Sequence, residues 1–372
     1  MTRKIKILHF EIRDNVGGIE SFLLNLYSAI DRDRYQFDFI TTSDHPALEE
    51  QLETLGGHIY KVSSYKHIFS YIRDIRNVLA GSYDIAHIHK NSAANVIPFM
   101  VASEFPSLKV IAHSHSTMPN GGKVFSLLHR INKKYLWNNS DVHLACSTVA
   151  GEWMYGQGRK FEVIPNGIDV KKYLFNQNEY YEVRKELNIS EDTLSICHIG
   201  RFAEPKNHCR VISIFSTVKQ ILPKSKLILL GAGQLEEDIR QLVKKEKLED
   251  SVLFLGIRKD IYHLLKGMDV FLMPSLYEGL GIAAVEAQAA GLNVWLSTAV
   301  PKEVELSDHV NWFSLSDSDE DIAKRIVKKG KPDINNRLKS NHQVIQSGYD
   351  YNVLAQKISL VYEKLVKNDS EV

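Results

Sequence analysis

Short apolar runs alternate with longer amphipathic stretches along almost the whole chain. Lys4 to Phe10 reads as a strand, Asn15-Val-Gly-Gly-Ile-Glu20 as a glycine turn, and Ser21 to Ala29 as an amphipathic helix. This is a βα unit with its loop at the strand's carboxyl end. Strand-like runs recur at 37–40, 58–62, 85–89, 109–113 and 142–146, with helical stretches near 47–55, 68–79 and 123–137. Strands alternating with helices predict a parallel sheet covered on both faces. A second series follows, with strands at 194–199, 226–230, 252–255, 270–273 and 294–296 and helices near 209–221, 235–246, 261–266 and 282–290. Pro165-Asn-Gly punctuates between the two series, which predicts domains at 1–165 and 166–345. A final segment, 346–372, carries a helix over Asn352 to Leu365.

Composition supports two ordinary globular domains. A chain of 372 residues exceeds one comfortable core. With a net charge of +1, 24% charged and 44% hydrophobic residues, it lacks the electrostatic footprint of a nucleic-acid binder. The opening run is interrupted by Lys6 and reads as a strand, not a signal segment, so a cytoplasmic protein is expected. No apolar stretch approaches the roughly 20 residues of a spanning helix, so membrane contact would be peripheral. Cys146, Cys197 and Cys209 are odd in number and lack metal-type spacing, and read as packing thiols in a reducing compartment.

The chemistry concentrates at Pro274-Ser-Leu-Tyr-Glu-Gly-Leu-Gly-Ile282, a strand end and glycine turn opening a helix. Gly279 and Gly281 permit close backbone approach, and the first helical amides point at an anion, which suits a phosphate or sugar phosphate. Glu278 precedes the helix and Glu286 lies inside it. Their helical separation rises about 12 Å, whereas a retaining glycosidase pair stands about 5–5.5 Å apart. They therefore read as acceptors of hydroxyls, one at a sugar and one at a ribose, with a diphosphate between. The bland alternative is an ordinary helix-start charge and a solvated helix face.

Glu278 and Glu286 match the E-x7-E motif of the retaining glycosyltransferases of family 4, and the surrounding residues resemble the EpsF-like exopolysaccharide and capsule branch. The resemblance covers nearly the whole chain. It implies a GT-B fold, two doubly wound α/β domains facing across a cleft, with the donor on the second and the acceptor on the first. The final segment would cross back to the first domain. Gly281 departs from the branch, which often has Pro there, and leaves the donor sugar open.

Other motifs take roles from the same resemblance. Gly200-Arg-Phe-Ala-Glu-Pro-Lys-Asn207 puts Arg201 and Lys206 on one βα loop, two cations suited to a diphosphate, and resembles the family's donor-phosphate loop. Gly17 and Gly18 resemble the glycine loop facing the β-phosphate; on spacing alone they are a tight turn. Gly231-Ala-Gly would lie near the nucleotide, and Ile257 and Arg258 resemble the base-contacting loop. Leu280, Gly281 and Ile282 complete the donor set.

His87, His89, His113 and His115 form two pairs at period-2 spacing, which places each pair on one strand face near its carboxyl end. Ala112-His-Ser-His-Ser116 resembles the family's histidine segment beside the reactive carbon. His115 projects furthest and is favoured there over His113. His89, Asn91, Gly121-Gly122 and the following helix with His129, Arg130, Lys133 and Lys134 would form the acceptor side. Those basic residues also suit anionic headgroups or a plain solvated face. Asp317-Ser-Asp319 reads as a helix start and not as a metal motif.

The expected activity is transfer of a hexosyl or N-acetylhexosaminyl unit from a UDP-sugar to a saccharide or lipid-linked saccharide, without metal or cofactor. Two alternatives stay open: a non-hydrolysing UDP-sugar 2-epimerase, and a silent GT-B binding subunit.

Overall fold

The computed structural model describes residues 3–116 and 122–367, in two units: Met1–Ile168 with Asp350–Val372, and Asp169–Tyr349. The division falls past the Pro165-Asn-Gly turn, after Ile168.

The first unit has strands β1 (Ile5–Ile12), β2 (Tyr35–Thr41), β3 (His58–Lys61), β4 (Ile85–Lys90), β5 (Lys109–Ser114), β6 (Val142–Ala145) and β7 (Glu162–Val163). Its helices are α1 (Gly18–Ala29), α2 (Glu49–Thr54), α3 (Ile68–Leu79), α4 (Ile97–Ala102), α5 (Lys123–Asn138) and α6 (Thr148–Tyr155). The strands are parallel in the order β3-β2-β1-β4-β5-β6-β7. Every residue of β4 is buried, as in a strand covered on both faces. Winding reverses between β1 and β4, so this is where a ligand is expected, beyond the carboxyl ends.

The chain's last helix, Tyr351–Lys367, belongs to this unit. It buries Leu354, Ile358, Val361, Tyr362 and Leu365 in one core with Phe22, Leu26 and Phe37, and Tyr351 N–H donates to Ile168 O at 2.9 Å. The apolar stripe repeats every three or four residues, which the helical period requires.

The second unit has strands β8 (Leu194–Ile199), β9 (Ser225–Leu230), β10 (Val252–Phe254), β11 (Val270–Met273), β12 (Asn293–Ser297) and β13 (Val310–Phe313), parallel in the order β10-β9-β8-β11-β12-β13. Winding reverses between β8 and β11. Its helices are α7 (Gln177–Glu186), α8 (His208–Ile221), α9 (Glu236–Lys245), α10 (Ile261–Lys266), α11 (Ile282–Ala289), α12 (Asp319–Lys329) and α13 (Ile334–Gln346). At the amino end of β11, Asp269 is buried between Arg184 (3.1 Å) and Arg337 (3.4 Å), and it also accepts from Ser195 N–H and Oγ. Removing either partner would strand a buried charge, so this network ties α7 and α13 to the sheet.

Several expectations need correction. β7, β13, α4, α6, α7 and α13 are not among the predicted elements. α13 buries Arg337, Ser340 and Asn341 on its inner face, so its helical period is carried by polar residues. Cys146 and Cys197 are buried, but Cys209 is exposed and packs nothing. At the acidic segment Ser318 Oγ accepts from Asp321 N–H at 3.1 Å, and Asp319 pairs with Arg210 at 2.7 Å, an ordinary helix start. Among the described residues no helix is long and apolar enough to cross a membrane.

Candidate active-site residues

In the second unit the two motif loops leave neighbouring strands and are stitched together. Leu276 N–H donates to Pro205 O at 2.8 Å and Asn207 Nδ2 to Pro274 O at 3.0 Å. This brings Lys206 Nζ within 2.6 Å of Glu278 Oε1, which also accepts from Ser275 Oγ at 2.8 Å. The cation read as a phosphate ligand and the carboxylate read as a sugar ligand are thus one ion pair. Arg201 lies exposed on the same loop as Lys206, five residues before it. Gly281 has φ +90° and opens α11, a left-handed conformation that favours glycine.

The third motif supports the first. A Cβ on Gly231 would lie 2.1 Å from Gly200 O, and one on Gly233 would lie 2.5 Å from Phe202 O. Those glycines let their loop press against the Arg201 loop and hold it. Beneath it His198 and His208 are buried and burial lowers both, to about 4 and about 2, so they add no charge.

Glu286 accepts a hydrogen bond from Tyr173 Oη at 2.7 Å, and burial raises its carboxyl to about 7. Nothing in the apolar pattern signals Tyr173, which sits on the short turn Val170–Tyr173. Arg258 is committed to Asp260 at 2.6 Å and Glu186 at 3.3 Å, so it shapes its loop as part of an ion-pair cluster. Ile257 is 72% exposed on the same loop.

In the first unit register explains a cluster. His9 pairs with His87 across β1 and β4, and His89 with His113 across β4 and β5. Period-2 alternation then puts His9, His87, His89, His113 and His115 on one face, against Phe22 of α1. Their nitrogens join directly: His9 Nδ1 to His89 Nε2 (3.0 Å), His89 Nδ1 to His115 Nε2 (2.9 Å), His87 Nε2 to His113 Nδ1 (3.1 Å), and His87 Nδ1 to Tyr362 Oη (2.8 Å). Desolvation pushes every ring below its ordinary value, His9 and His115 to about 3, so all are neutral near pH 7. His115 is half-buried and His113 1% exposed.

Some first-unit assignments change. His89 is wholly buried within the cluster and cannot present a surface to an acceptor. His129 is also buried: its Nδ1 accepts from Ala93 N–H at 3.0 Å and its ring stacks on Trp153, so it fixes the loop after β4. Asn91 lies on that loop, where its carbonyl accepts from Trp153 Nε1 at 3.4 Å. Arg130 is exposed and lines a shallow hollow with Gly122, Lys123, Ser126 and Leu127, whereas Gly121 lies outside the described residues. Gly17 N–H donates to Glu20 at 2.9 Å, so its amide serves the helix cap, and Gly18 O accepts from Asn166. Nothing in the sequence pattern signals buried Lys90, which pairs with Glu11 where the winding reverses; Glu11 has φ +77°.

Two histidine triads, His9/His87/His89 and His89/His113/His115, each bring three ligand atoms within 4.8 Å of one another. Neutral imidazoles could hold a transition metal. The rings instead stack as a ladder, with His87 and His113 at 5.3 Å and 11°, and their nitrogens meet in pairs.

Comparison with known proteins bears on the family and the fold. Residues 180–349 match the model of glycosyl transferases group 1, and residues 16–172 that of glycosyltransferase family 4. The chain is 31% identical to the glycosyltransferase EpsF of Bacillus subtilis over 93% of each chain. It is 23% identical, over 98% of each, to an Escherichia coli UDP-Gal:α-D-GlcNAc-diphosphoundecaprenol α-1,3-galactosyltransferase. Anabaena HepE, solved with UDP and glucose, superposes with a TM-score of 0.78 at 20% identity, covering 96% of this chain and 99% of that one. WaaG, a lipopolysaccharide glycosyltransferase, superposes at 0.71 with 15% identity, covering 96% and 99%.

Proposed function

This chain belongs to the group 1, family 4 glycosyltransferases, and we propose that it moves a hexosyl or N-acetylhexosaminyl unit from a UDP-sugar to a saccharide hydroxyl with retention. The observation that carries the reading is the Lys206–Glu278 pair at the turn that opens α11, with exposed Arg201 on the Lys206 loop. When the glycosidic bond breaks, its electron pair passes to the diphosphate. Arg201, Lys206 and the first α11 amides are fixed donors for that charge, so no metal is required. Glu286 would take the ribose hydroxyls and Glu278 the hexose.

The first unit would supply the acceptor side. His115, half-buried and neutral, adds no positive charge beside a carbon that becomes oxocarbenium-like. No side chain is cast as nucleophile: a leaving diphosphate oxygen takes the proton of the incoming hydroxyl as the new C–O bond forms on the same face.

The named activities of the relatives support a UDP-linked donor and a lipid-linked acceptor in surface glycan synthesis. α5 adds to this. Val124 (68% exposed), Phe125, Leu127 and Ile131 (62%) are displayed beside Lys123, Arg130, Lys133 and Lys134, with no acidic residue on the helix. Exposed apolar residues among cations suit an anionic membrane surface, which supports peripheral contact at the inner face of the cell membrane.

The test is UDP release from a panel of nucleotide sugars, with and without a saccharide acceptor, in EDTA. Acceptor-dependent release that survives EDTA is expected. Activity lost in EDTA and restored by Mn²⁺ would overturn the metal-free reading. A second UDP-sugar formed without acceptor would indicate an epimerase, and binding without turnover a silent subunit.

A further inference from the structure

The histidines of the first unit form two hydrogen-bonded rows, and counting their protons separates them. One row runs Tyr362, His87, His113 and ends at His113 Nε2; the other runs His9, His89, His115 between His9 Nε2 and His115 Nδ1. All three terminal nitrogens are buried without a partner among the described residues. Each neutral imidazole carries one proton, and each nitrogen-to-nitrogen contact must contain one.

In the Tyr362 row, protons directed outward leave one group unmet, the His113 Nε2–H. Directed inward they leave two, because the buried Tyr362 O–H then lacks an acceptor and His113 Nε2 becomes an unmet lone pair. One extra unmet buried group biases the row outward on the order of tenfold or more. The His9 row has no such anchor. Either direction leaves one N–H and one lone pair at its ends.

We propose that Tyr362, on the terminal helix, acts through His87 as a positioning residue that fixes His113 as an Nε2–H donor, while His115 can present either a lone pair or an N–H. His113 is thereby held inside the cluster as a fixed N–H, whereas His115, the half-buried ring, adapts to the group brought to it. The relay is a property of the fold; its use in catalysis rests on the glycosyl-transfer reading.

Long-range ¹H–¹⁵N correlation of the full chain labelled at histidine reads the tautomers directly, with His87→Gln and His113→Gln used to assign the signals. His87 and His113 are expected to carry their protons on Nε2. In Tyr362→Phe the anchor is gone, both directions leave two groups unmet, and both rings should become mixtures with His115 unchanged. His113 protonated on Nδ1 in the native protein, or a folded Tyr362→Phe protein that keeps the Nε2–H pattern, would overturn the relay. The expected tautomers in a protein without transferase activity would retain the relay and overturn only the reaction. Transfer activity with the opposite tautomers would do the reverse.

Discussion

At the carboxyl ends of β8 and β11 the second unit gathers charge, whereas at the carboxyl ends of β1, β4 and β5 the first unit removes it. Both places are reversals in a parallel sheet, so the topology offers the same opening twice. In one, Lys206 and Glu278 pair at the turn that opens a helix, and Arg201 is exposed on the Lys206 loop. In the other, five imidazoles are desolvated until none is protonated near neutral pH. A leaving diphosphate gains negative charge and a reacting sugar carbon gains positive character, and the two openings are electrostatically suited to these opposite demands. Fold alone would not distinguish them; side-chain charge does.

The largest effects should come from breaking the charged opening. Lys206→Ala is expected to lower kcat/KM about 10²–10³-fold, in the range found for single transition-state donors. Glu278→Ala should cost a similar factor, because it removes the sugar ligand and also leaves Lys206 unpaired. Since the two residues form one pair, the double variant should be little worse than Lys206→Ala, a strongly non-additive cycle measured by UDP release. Losses that multiply would show two independent sites. UDP affinity separates the carboxylates further: Glu286→Ala should weaken it more than Glu278→Ala, and equal losses would refute the ribose and hexose assignments.

The neutral opening should respond more gently and unevenly. His115→Ala is expected to reduce kcat about 10–100-fold with donor affinity nearly intact, a contribution the size of one positioned polar group. His113→Ala removes a fully packed ring and leaves His87 Nε2 without its 3.1 Å partner, so its first effect is on stability. A loss of about 2–4 kcal/mol is expected from denaturant midpoints. A folded but inactive His113→Ala enzyme beside a fully active His115→Ala enzyme would reverse the roles.

Why the charged opening was easier to read is visible in particular residues. Glu278, Arg201, Lys206 and the glycines lie in loops where polarity and turn chemistry are local signals, and the strands around them are plain apolar runs. Their pairing was not legible, since it depends on which strands are neighbours. Along the sequence the histidines read as two pairs, whereas His9 and Tyr362 join the cluster only through β-sheet register and the return of the terminal helix. Burial misled in the same way: nothing along the sequence tells that His89 and His129 point inward, or that α13 packs its polar face.

The smallest and most diagnostic effect concerns Glu286, the one carboxylate of the charged opening that behaves like the neutral one. Burial raises it from an ordinary 4.5 to about 7, and the Tyr173 hydrogen bond opposes that rise by favouring the ionised form. A carboxyl whose folded pKa is raised stabilises the fold fully below its unfolded pKa, and the contribution fades as pH climbs from about 4.5 through about 7. Ligand binding should run the other way, because two ribose hydroxyls donate best to the ionised carboxylate. UDP affinity, followed by calorimetry, should therefore rise by up to about tenfold between pH 6 and pH 8, while melting temperature drifts down over the same interval. Glu286→Gln should flatten both profiles. Tyr173→Phe removes a group that holds the pKa down, so its affinity midpoint should move to higher pH. A midpoint that moves lower, or a pH profile that survives in Glu286→Gln, would place the titrating group elsewhere and leave Glu286 an ordinary buried acid.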